Sequence, residues 1–213
     1  MLNRKITRVR LKEFIKSQSS QDKTLEIGCG DRYYDEFFPN KISIDFDPDR
    51  HPDLVADAHH LPFADNEFSV VLCAEVLEHL SDPPQAIAEM RRVLKPGGKL
   101  ILTTRFIFPI HDAPGDYYRF TEYGLRQLFK DWQLSTLTPE TTDLSTVAVI
   151  LQRLIYQADY RANKLVKLFL FVLMKLFLFS AGLKKQFYGN IEKTKPASHI
   201  LASGYYLVAI KNN

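Results

Sequence analysis

The chain has 213 residues, enough for one domain with a substantial core and a few elaborations. Apolar residues make up 46% and charged residues 25%, a globular balance that excludes a disordered or fibrous chain. A net charge of +3 gives no ground for a nucleic-acid partner, although residues 1–16 set Arg4, Lys5, Arg8, Arg10, Lys12 and Lys16 against one acid, Glu13.

In chain order, Leu2, Ile6 and Val9, with Leu11, Phe14 and Ile15, recur at close to helical intervals among those bases, so residues 1–20 are expected to hold a basic amphipathic helix. The segment lacks the uninterrupted apolar run of a secretory signal. From Lys23 onward, short apolar runs alternate with helix-like stretches. Thr24–Ile27, Lys41–Ile44, Asp53–Val55, Ser69–Cys73 and Lys99–Thr103 read as five strands. Pro84–Leu94 reads as a helix, broken by Lys95-Pro96-Gly97-Gly98 before the fifth strand. That alternation predicts a parallel sheet with helices on both faces. Thr121–Lys130 follows as a helix with Thr121 as N-cap, then a sixth strand at Gln133–Thr138 and a seventh at Gly204–Lys211.

Between the last two strands, residues 143–185 are rich in leucine and phenylalanine. On a helix, Lys164, Lys167, Lys175 and Lys185 would fall within a sector of about 80°. Lys175 interrupts the apolar run, which falls short of the ~20 residues of a spanning helix. The insertion is therefore expected to pack on the domain, to pair with a second copy, or to lie on a membrane surface with its basic stripe toward anionic lipid. Cys29 and Cys73 show neither a disulfide framework nor metal-ligand spacing. They read as small packing groups near strand ends, so no metal is expected and a reducing cytoplasm is the expected compartment.

Four constellations carry chemistry. Glu26-Ile27-Gly28-Cys29-Gly30 follows a strand, and its glycines permit positive φ and close approach of a ligand to the backbone and the next helix N-terminus. Asp45 closes the second strand, where a carboxylate can accept both hydroxyls of a ribose. Asp57, in Val55-Ala56-Asp57-Ala58, is placed to accept from an adenine amino group, and Leu61-Pro62-Phe63-Ala64-Asp65 follows it. Leu72-Cys73-Ala74-Glu75-Val76-Leu77-Glu78-His79 ends the fourth strand. There Glu75 reads as a wall of the donor pocket and His79 as a structural histidine.

In that order the four elements resemble the class I S-adenosylmethionine-dependent methyltransferases of the type 11 kind, over residues 23–138 and the last strand. The resemblance implies a three-layer, Rossmann-like α/β fold: a seven-stranded sheet, its last strand antiparallel, with a helical insertion between strands six and seven. One domain is expected over residues 1–213, with the cofactor core at 23–138, the insertion at 139–203 and the last strand at 204–213. The resemblance implies that Glu26, Gly28 and Gly30 contact the methionine part of S-adenosylmethionine. Asp45 would hold the ribose, Phe46 would pack on the adenine, and Asp57 and Ala58 would bind its edge. Many relatives carry a third glycine where this chain has Arg32.

The run after strand five, with His111, Pro114, Asp116, Tyr117, Arg119, Phe120, Thr121, Gly124 and Leu125, is similar to a segment of methyltransferases linked to bacterial surface polysaccharide and glycolipid synthesis. It implies a small, glycan-linked or lipid-linked acceptor held by the 104–121 loop, with transfer to a hydroxyl. His111 is the expected general base, with Asp112 and Asp116 in reserve, and Asp116 and Arg119 are read either as catalytic or as a structural ion pair. A cytoplasmic enzyme, peripheral at the inner membrane face, would fit such an acceptor. Two alternatives stand beside this. A nicotinamide dehydrogenase would also use the glycines and Asp45, but Tyr33 occupies its third glycine position. A non-catalytic scaffold of the same fold would have no need of Glu26, Asp45 and Asp57.

Overall fold

The computed structural model describes residues 5–30, 33–157, 164–181 and 201–212. Arg32, Leu2, Arg4 and Lys185 lie outside them. Strand β4 (Phe68–Ala74) shows how the sequence sorts itself into layers. Successive side chains on a strand point to opposite faces. Val70 and Leu72 enter a cluster with Leu11, Ile15, Phe37 and Phe38, whereas Val71 and Cys73 enter another with Ile87, Met90, Leu125 and Phe129. Helix α1 (Ile6–Ser17) covers the first face, and α2 (Pro83–Val93) and α3 (Glu122–Leu128) cover the second. Phe14 of α1 stacks on Tyr206 with ring centroids 4.5 Å apart. Burying each of Leu11 and Ile15 contributes roughly 1.5–3 kcal/mol.

The sheet holds β1 (Thr24–Ile27), β2 (Lys41–Asp45), β3 (Leu54–Val55), β4, β5 (Leu94–Arg105), β6 (Gln133–Pro139) and β7 (Gly204–Ile210), in the order β3-β2-β1-β4-β5-β7-β6. Strand β7 pairs antiparallel with both β5 and β6, and the other pairings are parallel. The order turns back between β1 and β4, so a crevice opens at the carboxyl ends of those strands, where ligands of open α/β sheets bind.

Most elements fall within one or two residues of their predicted limits, and β5 departs furthest. The Lys95-Pro96-Gly97-Gly98 run lies inside β5 rather than before it. Phe68 pairs with Leu94 but Val70 with Lys99, so the extra residues bulge out of the ladder. Gly97, at φ +73, makes the bulge, and hydrogen bonds of 3.0 Å from Gly97 N to Lys211 O and from Lys211 N to Gly98 O pin it.

The described residues of the insertion include two helices: α4 (Asp143–Gln157) and α5 (Lys164–Ala181) pack through Ala148, Ile155 and Met174, and Ile6 of α1 joins the seam. Ile6 N also donates to Gln152 Oε1 at 2.8 Å. The outer face of α5 leaves Leu165, Leu168, Phe169, Leu176 and Phe179 exposed, with Lys164, Lys167 and Lys175 exposed beside them. Among the described residues no helix is long and apolar enough to cross a membrane.

Candidate active site

The crevice begins at the tip of β1. Gly28 and Gly30 have φ of +75° and +49°, and Gly28 N donates to Ile44 O at 2.9 Å, which ties the turn to β2. A Cβ on Gly28 would drive into Cγ2 of Val76, so hydrogen alone fits there. Asp45 faces this turn: Oδ1 accepts from Asp47 N at 3.1 Å, and Oδ2 lies 3.9 Å from Cys29 Sγ. Phe46, next along, is 81% exposed, an unusual state for a phenylalanine beside a cleft. Asp57 follows β3 at the same rim. Its Oδ1 accepts from His59 N at 2.9 Å and lies 2.6 Å from His59 Nδ1, and these bonds hold the carboxyl below its usual range. The next motif is stapled by Glu89 of α2, which accepts from Leu61 N at 2.8 Å while Arg92 donates to the carbonyls of Leu61 and Phe63.

Two of the expected donor-side residues have side chains engaged within the protein itself. Glu26 is 1% exposed and ion-paired with Lys41, which also holds Asp35 at 2.7 Å. Its carboxylate is answered by a lysine of the neighbouring strand rather than standing open at the rim, because a buried carboxylate is costly without a partner. The side chain of Ala58 packs into the apolar core.

Behind the rim lies a buried charge network. Glu75, at φ +62 at the end of β4, accepts from Thr103 Oγ1 at 2.9 Å and is ion-paired with Arg105. Burial pushes its carboxyl up to about 8, against the pull of Arg105. Arg105 Nη1 reaches Glu140 Oε2 at 2.6 Å, and Glu140 also accepts from Ser203 Oγ (2.6 Å) and Tyr206 Oη (3.1 Å). The guanidinium groups of Arg105 and of Arg153 from α4 lie 4.3 and 4.4 Å from the centroid of Phe108. Burial lowers the pKa of Arg153, as do Arg105 and Arg8; burial, Arg153 and Arg8 lower that of Lys5. Arg8 hydrogen-bonds Tyr34, whose phenol is pushed up to about 12 mainly by burial.

The loop between β5 and α3 closes the crevice. Fully buried Glu78 anchors it: Oε2 accepts from Thr104 Oγ1 at 2.7 Å, and the carbonyl accepts from Tyr117 N (3.0 Å) and Tyr118 N (3.1 Å). Asp116 and Arg119 form two parallel 2.6 Å bonds, and Arg119 also donates to the carbonyls of Phe108, Pro109 and Tyr118. Asp116 further accepts from His111 N at 2.9 Å. Of the two readings of this pair the geometry favours the structural one, since both side chains are committed to the loop's own backbone. Arg119 holds the Asp116 carboxyl well below the usual carboxylate range. His111 meets His79, Nε2 to Nε2, at 3.2 Å, and His79 Nδ1 lies 2.7 Å from Gly115 O. Burial, then the neighbouring His79, lowers the pKa of His111.

The structure thus gathers Gly28, Gly30, Asp45, Phe46 and Asp57 on one rim, with Glu75 and His111 behind and beside it. Sequence reasoning assigned no role to Lys41, Arg105, Glu140 and Arg153, and noted Glu78 only as part of the motif that ends β4.

The family model described as a methyltransferase domain matches residues 25–102. A ubiquinone/menaquinone biosynthesis C-methyltransferase from Haemophilus ducreyi is 43% identical over 70 residues, 33% of this chain and 27% of the relative. A tRNA U34 carboxymethyltransferase from Campylobacter curvus is 31% identical over 102 residues, 38% of this chain and 34% of the relative. The matched stretches thus span about a third or less of these curated relatives. The YcgJ protein of Bacillus subtilis shares the fold across 97% of this chain and 99% of its own, with a TM-score of 0.56 at 16% identity. Glycines at the β1 turn and carboxylates closing β2 and following β3 all fall within the stretch 25–102, which matches the methyltransferase domain model.

Proposed function

We propose that this chain transfers a methyl group from S-adenosylmethionine to a hydroxyl of an anionic acceptor linked to a lipid or glycan. The donor supplies an electrophilic methyl when bound. The chain's part is then to hold donor and acceptor in line, to exclude water and to take a proton. Gly28 gives the donor backbone without a side chain, Asp45 suits its ribose hydroxyls, and Phe46 and Asp57 suit its adenine. Glu75 and Arg105 wall the interior side.

The observation that carries the acceptor class is a basic patch: Arg153 lies over Phe108 and feels the charge of Arg105 and Arg8, and Lys5 feels the charge of Arg153 and Arg8. Like charges gathered at a partly exposed rim cost free energy, which an anion on the acceptor would offset. In the transfer, the acceptor O–H bond breaks with its proton passing to His111. The oxygen forms a bond to the methyl carbon, and the C–S bond breaks with its electron pair remaining on sulfur. Asp116 and Arg119 are positioning residues that shape the loop. The exposed apolar face of α5, bordered by lysines and joined to α1 through Ile6, supports an acceptor presented at a membrane surface. Co-sedimentation with anionic vesicles is expected to fall when Leu168 and Phe179 are both replaced by Ser. Unchanged sedimentation removes the membrane from the reading.

The deciding experiment is a screen with methyl-labelled donor against paired acceptors that differ only in a phosphate group. Arg153→Gln is expected to raise KM for the anionic member of a pair about tenfold and to leave the neutral member nearly unchanged. Equal effects on both would refute the anionic acceptor. A demethylated quinone belongs in the same screen, since the Haemophilus relative is named for C-methylation in quinone biosynthesis. Methylation of the quinone alone would replace the hydroxyl with carbon.

A further inference from the structure

We propose that Glu78, His79 and His111 form a binding site for one divalent transition-metal ion of the zinc class. The site's occupancy is independent of methyl transfer; its use in activating an acceptor hydroxyl rests on the function proposed above.

The three residues come from separate pieces of the fold. Glu78 and His79 stand in the turn Leu77–His79 after β4, and His111 in the loop after β5. One ligand atom from each, two imidazole nitrogens and a carboxylate oxygen, lies within 4.8 Å of the others. The tautomers explain why this is more than proximity. His79 Nδ1 lies 2.7 Å from Gly115 O, and a carbonyl can only accept, so that nitrogen carries the proton. His111 Nδ1 is flanked by Pro109 O at 3.3 Å and Asp116 Oδ2 at 3.4 Å, again acceptors only. In the neutral rings both Nε2 atoms then hold lone pairs, and these face each other at 3.2 Å. Two lone pairs at that distance repel unless a cation stands between them. Two nitrogens bound at 2.0–2.1 Å to a tetrahedral ion would stand about 3.3 Å apart, close to what is seen.

The carboxylate fits the same occupant. Glu78 is fully buried, and while Oε2 is satisfied by Thr104, Oε1 has no hydrogen-bond partner among the described residues. The nearest buried cation, Arg105, is committed to Glu75 and Glu140. A buried carboxylate oxygen left this way is costly, and a metal ion would satisfy it. The outer groups have the form that orients metal ligands: a carbonyl on the far nitrogen of His79, a carbonyl and a carboxylate on that of His111, and a hydroxyl on Glu78. Two imidazoles and one carboxylate favour zinc, iron(II), cobalt(II) or manganese(II) over magnesium or calcium. Three protein ligands leave a fourth position open toward the acceptor loop. There an acceptor hydroxyl would be made more acidic by the ion and would release its proton to water, since His111, as a ligand, could no longer take it.

The test uses chelator-stripped full-length protein without donor or acceptor. Cobalt(II) is titrated by its d–d absorption and zinc(II) by calorimetry. One equivalent should bind, with the intense visible bands of a four-coordinate ion. His111→Ala, in a partly exposed loop where folding is not at stake, should weaken zinc binding at least about tenfold and abolish those bands. His79→Asn and Glu78→Gln should do likewise, each checked for native circular dichroism. His60→Ala, a histidine with 80% of its side chain exposed, should change nothing. No saturable binding by the folded wild type, or binding that survives His111→Ala, overturns the proposal; in the first case the two rings share a proton instead. S-adenosylmethionine titrated into the same stripped protein separates the two ideas. Donor binding without metal binding sinks the ion alone, and metal binding without donor binding sinks the methyltransferase reading alone.

Discussion

Replacing Gly28 with Ala tests whether the β1 turn is shaped by backbone strain, by crowding or by both. At φ +75 a residue with a Cβ costs roughly 1–2 kcal/mol. The added methyl would also overlap Val76 Cγ2, and overpacking of this kind typically adds roughly 1–3 kcal/mol. The expected destabilisation of Gly28→Ala is therefore about 2–5 kcal/mol. Gly30 is the internal control: φ is +49, but nothing lies within 4 Å of its built Cβ, so Gly30→Ala should cost only the roughly 1–2 kcal/mol of backbone strain. In a Val76→Ala background the overlap disappears, and Gly28→Ala should then cost no more than Gly30→Ala. Urea unfolding of the four-member cycle reads the coupling directly, expected at roughly 1–3 kcal/mol. Calorimetric titration should show S-adenosylmethionine affinity falling most in Gly28→Ala and partly recovering in the double variant. If Gly28→Ala and Val76→Ala add within about 0.5 kcal/mol, the crowding argument fails and the turn owes its shape to φ alone.

Arg105→Met should destabilise the protein by roughly 3–5 kcal/mol in denaturant unfolding, because Glu75 and Glu140 would be left buried without their cation. Adding Glu140→Gln should recover part of that loss, and no recovery would mean that packing of Arg105 on Phe108 matters more than its charge. Glu89 gives a pH test. Hydrogen bonding from Arg92 holds its folded pKa below the ordinary 4.5, so its stabilising contribution is present above pH 4.5 and is lost as pH falls through the lower folded value. Glu89→Gln should lower stability near pH 7, and the gap to wild type should close on acidification below pH 4.5. A gap independent of pH would show that the carboxylate charge is not what staples Leu61.

Strands were legible in the sequence where one face or both are buried, since the apolar runs of β1, β2 and β4 have no other stable destination. The β5 bulge was not, because Pro96-Gly97-Gly98 has the composition of a turn and only the pinning by Lys211, distant in sequence, makes it part of a strand. The capped start of α3 was legible: Thr121 Oγ1 accepts from Gly124 N at 3.0 Å, as its position ahead of Glu122 predicts. At the site, residues whose partners are local or are ligand atoms could be picked out by position, as with Gly28, Asp45 and Asp57. Residues defined by partners far along the chain could not. Nothing near Glu26 in the sequence announces its ion pair with Lys41, and nothing near Arg105 announces its pair with Glu140. The meeting of His79 with His111 has no sequence spacing that would announce it, since the two stand on different loops.

The same division runs through the comparisons. The matched stretch 25–102 contains Gly28, Asp45, Asp57 and Glu75, the proposed donor side, and ends before Arg105, His111, Arg119, Glu140 and Arg153. The donor is common to the family, so its site can be carried on shared strands. The proposed acceptor side is assembled from the end of β5, the following loop, the residue after β6 and helix α4. Helix α1 adds Lys5 and Arg8 to that side from before the matched stretch, reaching α4 through Ile6 and Gln152. An acceptor assigned by analogy with the curated relatives would rest on a stretch outside the proposed acceptor side. The charge on Arg153 and the pair of imidazoles at His79 and His111 belong to the proposed acceptor side, and a screen with anionic hydroxyl compounds tests that proposal.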